Sequence, residues 1–240
     1  MTDQALVLQD GGMYFDGVRA VDGVSLRLEP GEVLGLIGPN GSGKTTTLNM
    51  LSGVLRPSAG RIILDGVDVT RRSIRSRARS GLVRTFQSVK VFGRLTVAEN
   101  VEAACLGSGM RRKDARRVAI ETIAELGLEA LAEVRADAVP AGQVRSVGIA
   151  RAIALQPKYL LLDEPAAGQN EAEALELVKI IASFARERGL GVLLVEHDMA
   201  VVMGTCDRLH VLDSGETVIT GDPETIRTDP KVIEIYFGKG

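Results

Sequence analysis

The sequence predicts an α/β fold, a mainly parallel sheet that frames an inserted run of helices. Three observations carry this. A glycine-rich loop, G-P-N-G-S-G-K-T-T from Gly38 to Thr46, sits between an apolar strand and a helix. Two later apolar runs, in K-Y-L-L-L-D-E-P and L-G-V-L-L-V-E-H-D, end on polar residues, as buried parallel strands do. Between the loop and those runs, the stretch 88–155 repeats its apolar residues mostly at helical spacing.

The loop fits the phosphate-binding pattern G-x-x-x-x-G-K-[ST] at Gly38, Gly43, Lys44 and Thr45. Glu32 to Ile37 before it reads as a buried strand, and Thr46 to Gly53 after it as a helix stopped by glycine. The glycines let backbone N–H groups turn onto phosphate oxygens, and the helix start adds donors and the positive end of its dipole. Gly38, Pro39, Asn40, Gly41, Ser42, Gly43, Lys44, Thr45 and Thr46 are therefore expected to cradle a nucleotide's phosphates. Lys44 would reach the β- and γ-phosphates, and the Thr45 hydroxyl would sit on Mg²⁺.

Length and composition narrow the remaining choices. At 240 residues and 45% hydrophobic, the chain can bury a sizeable core as one large domain with a subdomain. A net charge of −2 argues against broad electrostatic binding to nucleic acid. Cys105 and Cys206 form no C-x-x-C pair and read as reduced core residues. The N-terminal residues lack the basic-then-apolar pattern of a signal peptide. No apolar run reaches the roughly 20 residues of a membrane span, so any membrane role is expected to come through a partner.

Taken in order, Leu6–Leu8 and the alternating Val24–Leu28 read as strands, the second half-exposed and antiparallel. Tyr14 and Phe15 lie between them in a chain only 3% aromatic; either could stack on a purine or make an ordinary hairpin contact. Arg61–Leu64 is a strand between turns. The basic segment Arg71 to Arg79 reads first as a solvated helix face, with contact to phosphate or lipid head groups as the lesser alternative. Gly81–Phe86 is a further strand. Thr96, with Glu99 three residues on, predicts a capping box at a helix start. Helices are expected over Asp114–Leu126 and Gly142–Leu155, a strand at Tyr159–Leu162 and a helix at Glu171–Glu187. The tail predicts two strands about Ser214-Gly215, then two short helices.

The chemistry follows from the strand ends. Asp163 ends an apolar strand, where a phosphate loop's acidic partner holds Mg²⁺ through its water shell. Glu164 next to it can orient and deprotonate a water in line with the γ-phosphate. His197, past the end of a second such strand, can donate to that phosphate. His210 is given no role.

Together these residues resemble the ATP-binding subunits of ABC transporters, over essentially the whole chain. In R-T-F-Q, Gln87 matches the family's Q-loop glutamine, which implies contact with Mg²⁺ and a part in catalysis. L-L-L-D-E-P supplies the Walker B Asp163 and the catalytic Glu164, A-A-G-Q-N the D-loop, and L-L-V-E-H-D the switch histidine His197. By its distance from the phosphate loop, Phe15 falls on the aromatic that stacks on adenine. The resemblance implies a P-loop NTPase of the ABC ATPase type. Its RecA-like parallel-sheet core and antiparallel β subdomain would occupy 1–87 and 156–240, and its inserted α-helical subdomain 88–155. It also implies ATP and Mg²⁺ as ligands, a second ATP-binding subunit, and integral-membrane permease subunits that hold the chain at the cytoplasmic face of the membrane. A solute-binding protein outside the membrane would act indirectly.

Finer stretches, G-L-V-R-T-F-Q, V-F-G-R-L-T-V-A-E-N-V, D-E-P-A-A-G-x-N and the tail G-D-P-E-T-I-R-T-D-P-K-V-I-E-I-Y-F-G, look like the branched-chain amino acid importer subfamily. Relatives handling urea, short amides or other small solutes give an alternative cargo. The family's signature L-S-G-G-Q is here V-P-A-G-Q, Val139 to Gln143: Pro140 replaces the serine and Ala141 a glycine, while Gly142 and Gln143 remain to face a partner's nucleotide. Gln169 stands where the D-loop usually has an apolar residue. The altered signature admits a nucleotide-gated structural subunit with little hydrolysis; Glu164 and His197 oppose that reading. The near-neutral charge opposes a soluble ABC ATPase of DNA repair or translation.

Overall fold

The computed structural model describes residues 4–86, 89–168 and 171–237. Gln87, Gln169 and Asn170, singled out above, lie outside the described residues.

Ten strands form two sheets among the described residues. β1 (Leu6–Phe15), β2 (Val18–Leu28), β4 (Ala59–Leu64) and β5 (Val67–Asp68) make an antiparallel sheet in the order β2-β1-β4-β5. Its β1–β2 hairpin turns at Asp16-Gly17, both at positive φ, as two-residue hairpins require. The second sheet has the order β10-β9-β3-β8-β7-β6. Its strands are β3 (Val33–Ile37), β6 (Leu82–Arg84), β7 (Tyr159–Asp163), β8 (Gly191–Val195), β9 (Arg208–Asp213) and β10 (Glu216–Gly221). All neighbours in it are parallel except β9 with β10.

Burial explains why the inner strands are continuously apolar. Side chains alternate across a strand, and here both faces are covered. Val33, Ile37, Leu160, Leu162, Val192 and Leu194 join a core on one face. That core also takes in residues of α3 (Val97–Ser108), α4 (Arg112–Glu125), α5 (Ala141–Ile153) and α6 (Glu171–Arg188). Leu34, Leu36, Leu161, Leu193 and Val195 face a second core. It is shared with the antiparallel sheet and with α1 (Lys44–Ser52), which contributes Leu48, Met50 and Leu51.

Between β6 and β7 the described chain forms helices and short turns: α3, α4, α5 and two 3₁₀ turns. The Thr96 capping box is present in both halves, Glu99 N–H donating to Thr96 Oγ1 at 3.1 Å and Thr96 N–H to Glu99 Oε2 at 2.8 Å. The sequence reading omitted α7 (Met199–Thr205), whose N-cap Asp198 accepts from the N–H groups of Ala200 and Val201. The tail helices are α8 (Pro223–Thr228) and α9 (Pro230–Phe237).

One expectation is corrected. The basic segment does form a helix, α2 (Ile74–Arg79), but it is not wholly solvated. Arg77 is 1% exposed, and its guanidinium donates to the carbonyls of Met50 (2.6 Å), Leu51 (2.5 Å), Thr70 (3.0 Å) and Arg72 (3.2 Å). Two of those carbonyls belong to the last turn of α1, where unsatisfied C=O groups attract a cation.

Candidate nucleotide site

Parallel strands put their carboxyl ends on one edge, and three of those ends build the site. β3 runs into the glycine loop, β7 ends at Asp163, and β8 leads to Glu196 and His197. The register keeps them level, with Leu36 and Asp163 both paired to Val195. Past the end of β7, Glu164 N–H still donates to Val195 C=O at 2.9 Å, with Glu164 in the left-handed region at φ 47°.

The loop geometry demands its glycines. A Cβ on Gly38 would stand 2.1 Å from Leu212 C=O, and one on Gly43 2.7 Å from Ala20 C=O; both have positive φ. Lys44 Nζ donates to the carbonyls of Gly38 and Pro39, each at 2.8 Å, and so lies across the loop. Burial lowers the Lys44 pKa, while the charges of Glu164 and Asp163 act to raise it. Thr45 is exposed at the start of α1 and shares with Asp163 the lining of a cavity of about 640 Å³.

The loop fits a polyphosphate. The Oγ of Ser42 and the Oγ1 of Thr47 are buried without a hydrogen-bond partner, and the glycines hold the backbone where a side chain would block approach. A hydroxyl, Thr45, and a carboxylate, Asp163, are hard oxygen donors suited to Mg²⁺. Among the described residues no group of three or more His, Cys, Asp and Glu could hold a metal unaided.

Glu164 and His197 are brought together, His197 Nδ1 lying 4.0 Å from Glu164 Oε1 and 3.8 Å from Glu196 Oε2. His197 is largely exposed, so it can turn toward a ligand at the loop. Sequence reasoning missed Glu196, which is 3% exposed and accepts from Ala166 N–H at 3.2 Å. Its burial pushes its pKa up, against the hydrogen bond from Ala166. It also missed Arg84, whose guanidinium pairs with Asp163 at 2.9 Å. An arginine closing the apolar run G-L-V-R was the available signal, because a buried cation needs a buried acid.

At the hairpin, Tyr14 and Phe15 are each 42% exposed. Tyr14 is tethered: its backbone N–H donates to Ser58 Oγ at 3.1 Å, its hydroxyl to Asp22 Oδ1 at 2.9 Å, and Arg19 lies over the ring. Gly142 and Gln143 lie in the first turn of α5. Gly142 faces the segment after Glu164, where an added Cβ would lie 3.2 Å from Gly168 C=O, and Arg145 of the same helix donates to Ala167 C=O. Pro140 is the N-cap of α5 and offers no side-chain cap bond.

Residues 21–167 match the family model described as ABC transporter. The chain is 40% identical over 242 residues, 95% of each chain, to the high-affinity branched-chain amino acid transport ATP-binding protein LivG of Escherichia coli strain K12. It is 38% identical to the lipopolysaccharide export system ATP-binding protein LptB of Acidithiobacillus ferridurans, covering 90% of this chain and 89% of the relative. Among solved structures, a nucleotide-free ATP-binding cassette from an ABC transporter superposes with a TM-score of 0.88 at 29% identity, covering 98% of this chain and all of the other. A dimeric post-hydrolysis state of the cassette MJ0796, bound to ADP and phosphate, gives a TM-score of 0.81 at 25% identity, covering 91% and 98%.

Proposed function

The chain belongs to the ABC transporter family as an ATP-hydrolysing, ATP-binding cassette, and we propose that it powers an importer of branched-chain amino acids. The supporting observation for the ATPase site is the convergence of the Lys44 loop, Asp163, and the Glu164–His197 pair on one sheet edge.

In this reading the backbone of 38–46 and Lys44 grip the β- and γ-phosphates of ATP. Phe15 stacks on the adenine. Thr45 and Asp163, with Gln87, hold Mg²⁺, which neutralises charge on the phosphate oxygens. Glu164 orients a water in line with the γ-phosphorus and accepts its proton. His197 donates to a γ-phosphate oxygen. Gly142 and Gln143 serve the nucleotide of a second ATP-binding subunit across a dimer interface, and that subunit's signature completes this one's site. Permease subunits hold the dimer at the cytoplasmic membrane face, as likeness to the transport ATP-binding protein LivG supports. A solute-binding protein delivers cargo on the other side, and no nucleic acid takes part.

The cargo rests on likeness to LivG at 40% identity. Reconstitution of the chain with its permeases tests it. Uptake of labelled leucine, isoleucine or valine should require ATP and be lost with Lys44→Ala. Uptake of urea or short amides with none of leucine would replace this cargo by the alternative. A second reading, a nucleotide-gated subunit with little hydrolysis, draws on Pro140 in the signature.

A further inference from the structure

Arg84 is a cation with almost no water. Its side chain and that of Asp163 are each 6% exposed, and Nη2 lies 2.9 Å from Asp163 Oδ2. Taking both charges out of water is costly, and only good geometry with further hydrogen bonds offsets the penalty. Those bonds are present. Nη1 donates to Asn49 Oδ1 at 2.5 Å and to Ser52 Oγ at 3.2 Å, both on α1, while Nε has no partner. The guanidinium also lies 5.1 Å from the ring centre of Phe86. One side chain from β6 thus joins the end of β7, the helix that begins with Lys44 and Thr45, and the segment leading to Gln87. Thr45, Arg84, Phe86 and Asp163 line the same cavity.

We propose that Arg84 is a positioning residue for the ATPase reaction, holding Asp163 by Oδ2 so that its other oxygen is presented to the hydrated metal, and fixing that carboxylate relative to Thr45 through α1. A partner of this kind constrains a ligand's rotamer, and losing one costs about 10–100-fold in metal affinity. An Arg pairing two groups on α1 and one carboxylate uses its planar fork; a lysine offers a point charge that cannot span them.

The inference rests on the reading that Asp163 holds Mg²⁺, and the experiment separates the two. Binding of a non-hydrolysable ATP analogue is measured by calorimetry in Mg²⁺ and in EDTA, for the wild type and for Arg84→Met, Arg84→Lys, Asn49→Ala and Asp163→Asn. The gain in affinity on adding Mg²⁺ is the readout, and thermal melting checks folding. Arg84→Met should lose about tenfold or more of that gain, with binding in EDTA, which reports the loop and Lys44, nearly unchanged. Arg84→Lys should lose part of it. If Arg84→Met does not fold, Asn49→Ala leaves the ion pair in place and should still reduce the gain. A full gain in both Arg84→Met and Asn49→Ala overturns the proposal, as does an equal fall of binding in Mg²⁺ and EDTA, which marks a purely structural role. If Asp163→Asn keeps the gain, the metal assignment itself fails; if it loses the gain and the Arg84 variants do not, only the Arg84 inference fails.

Discussion

The Tyr14 hydroxyl donates to Asp22 Oδ1 at 2.9 Å, and the same carboxylate takes Arg19 Nη1 at 2.7 Å. This tether engages Tyr14, so the proposed adenine stacking is assigned to Phe15. Phe15→Ala should weaken ATP binding by roughly 1–3 kcal/mol, the range for base–aromatic stacking. Tyr14→Ala should change it little. Titration of the two variants with ATP checks this; the opposite ranking would shift the assignment by one residue.

The altered signature should show in the rate of a homodimer. Pro140 supplies neither a hydroxyl nor an N–H at the start of α5. Losing one pre-placed donor from a reacting site costs about 10²–10³ in rate. The double change Pro140→Ser with Ala141→Gly should raise the homodimer's steady-state ATPase rate by at least about tenfold, on the same basis. An unchanged rate would make the serine dispensable in this chain.

His210 gives a pH dependence. It is 1% exposed on β9, with Nε2 3.0 Å from Thr217 Oγ1 and Nδ1 2.7 Å from Thr220 Oγ1. Burial, helped by the Arg208 charge, pushes its pKa down to about 4 from 6.5. The unfolded chain therefore takes up a proton below pH 6.5 that the folded chain refuses until about pH 4. The stability from this group is whole above pH 6.5 and is lost as pH falls through that window. At pH 5 the loss is about 2 kcal/mol. Urea midpoints at pH 7.5 and 5 should converge less for the wild type than for His210→Asn, which lacks the term.

Arg77 caps the phosphate-loop helix from below. Arg77→Met would leave the carbonyls of Leu51 and Thr70 without this donor and Met50 with only its Gly53 N–H partner. At about 1–3 kcal/mol for each buried group left unsatisfied, and with water reaching some, a loss of roughly 2–4 kcal/mol is expected. In a chain of this size that lowers Tm by about 4–16 °C. A melting scan reads it directly, and no shift would mean the carbonyls find other donors.

Legibility in the sequence followed the range of each interaction. The Thr96–Glu99 box, the Gly53 stop of α1 at φ 85° and the buried runs ending at Asp163 and Val195 are written in adjacent residues, and all were read. Which of Arg71, Arg72, Arg75, Arg77 and Arg79 turns inward depends on where α1 ends in space, so charge spacing suggested a solvated face. Arg84 and Glu196 were passed over for the same reason, since their partners, Asp163 and Ala166, are 79 and 30 residues away. His210 looked inert because its two threonines reach it only through the register of β9 with β10.

In the proposed mechanism Glu164 activates the attacking water. ATP hydrolysis by the assembled transporter should fall about 10²–10⁴-fold in Glu164→Gln, the range for a general base, while equilibrium ATP binding stays at the wild-type level. Turnover near the wild-type rate in that variant would contradict the claim and move the base elsewhere.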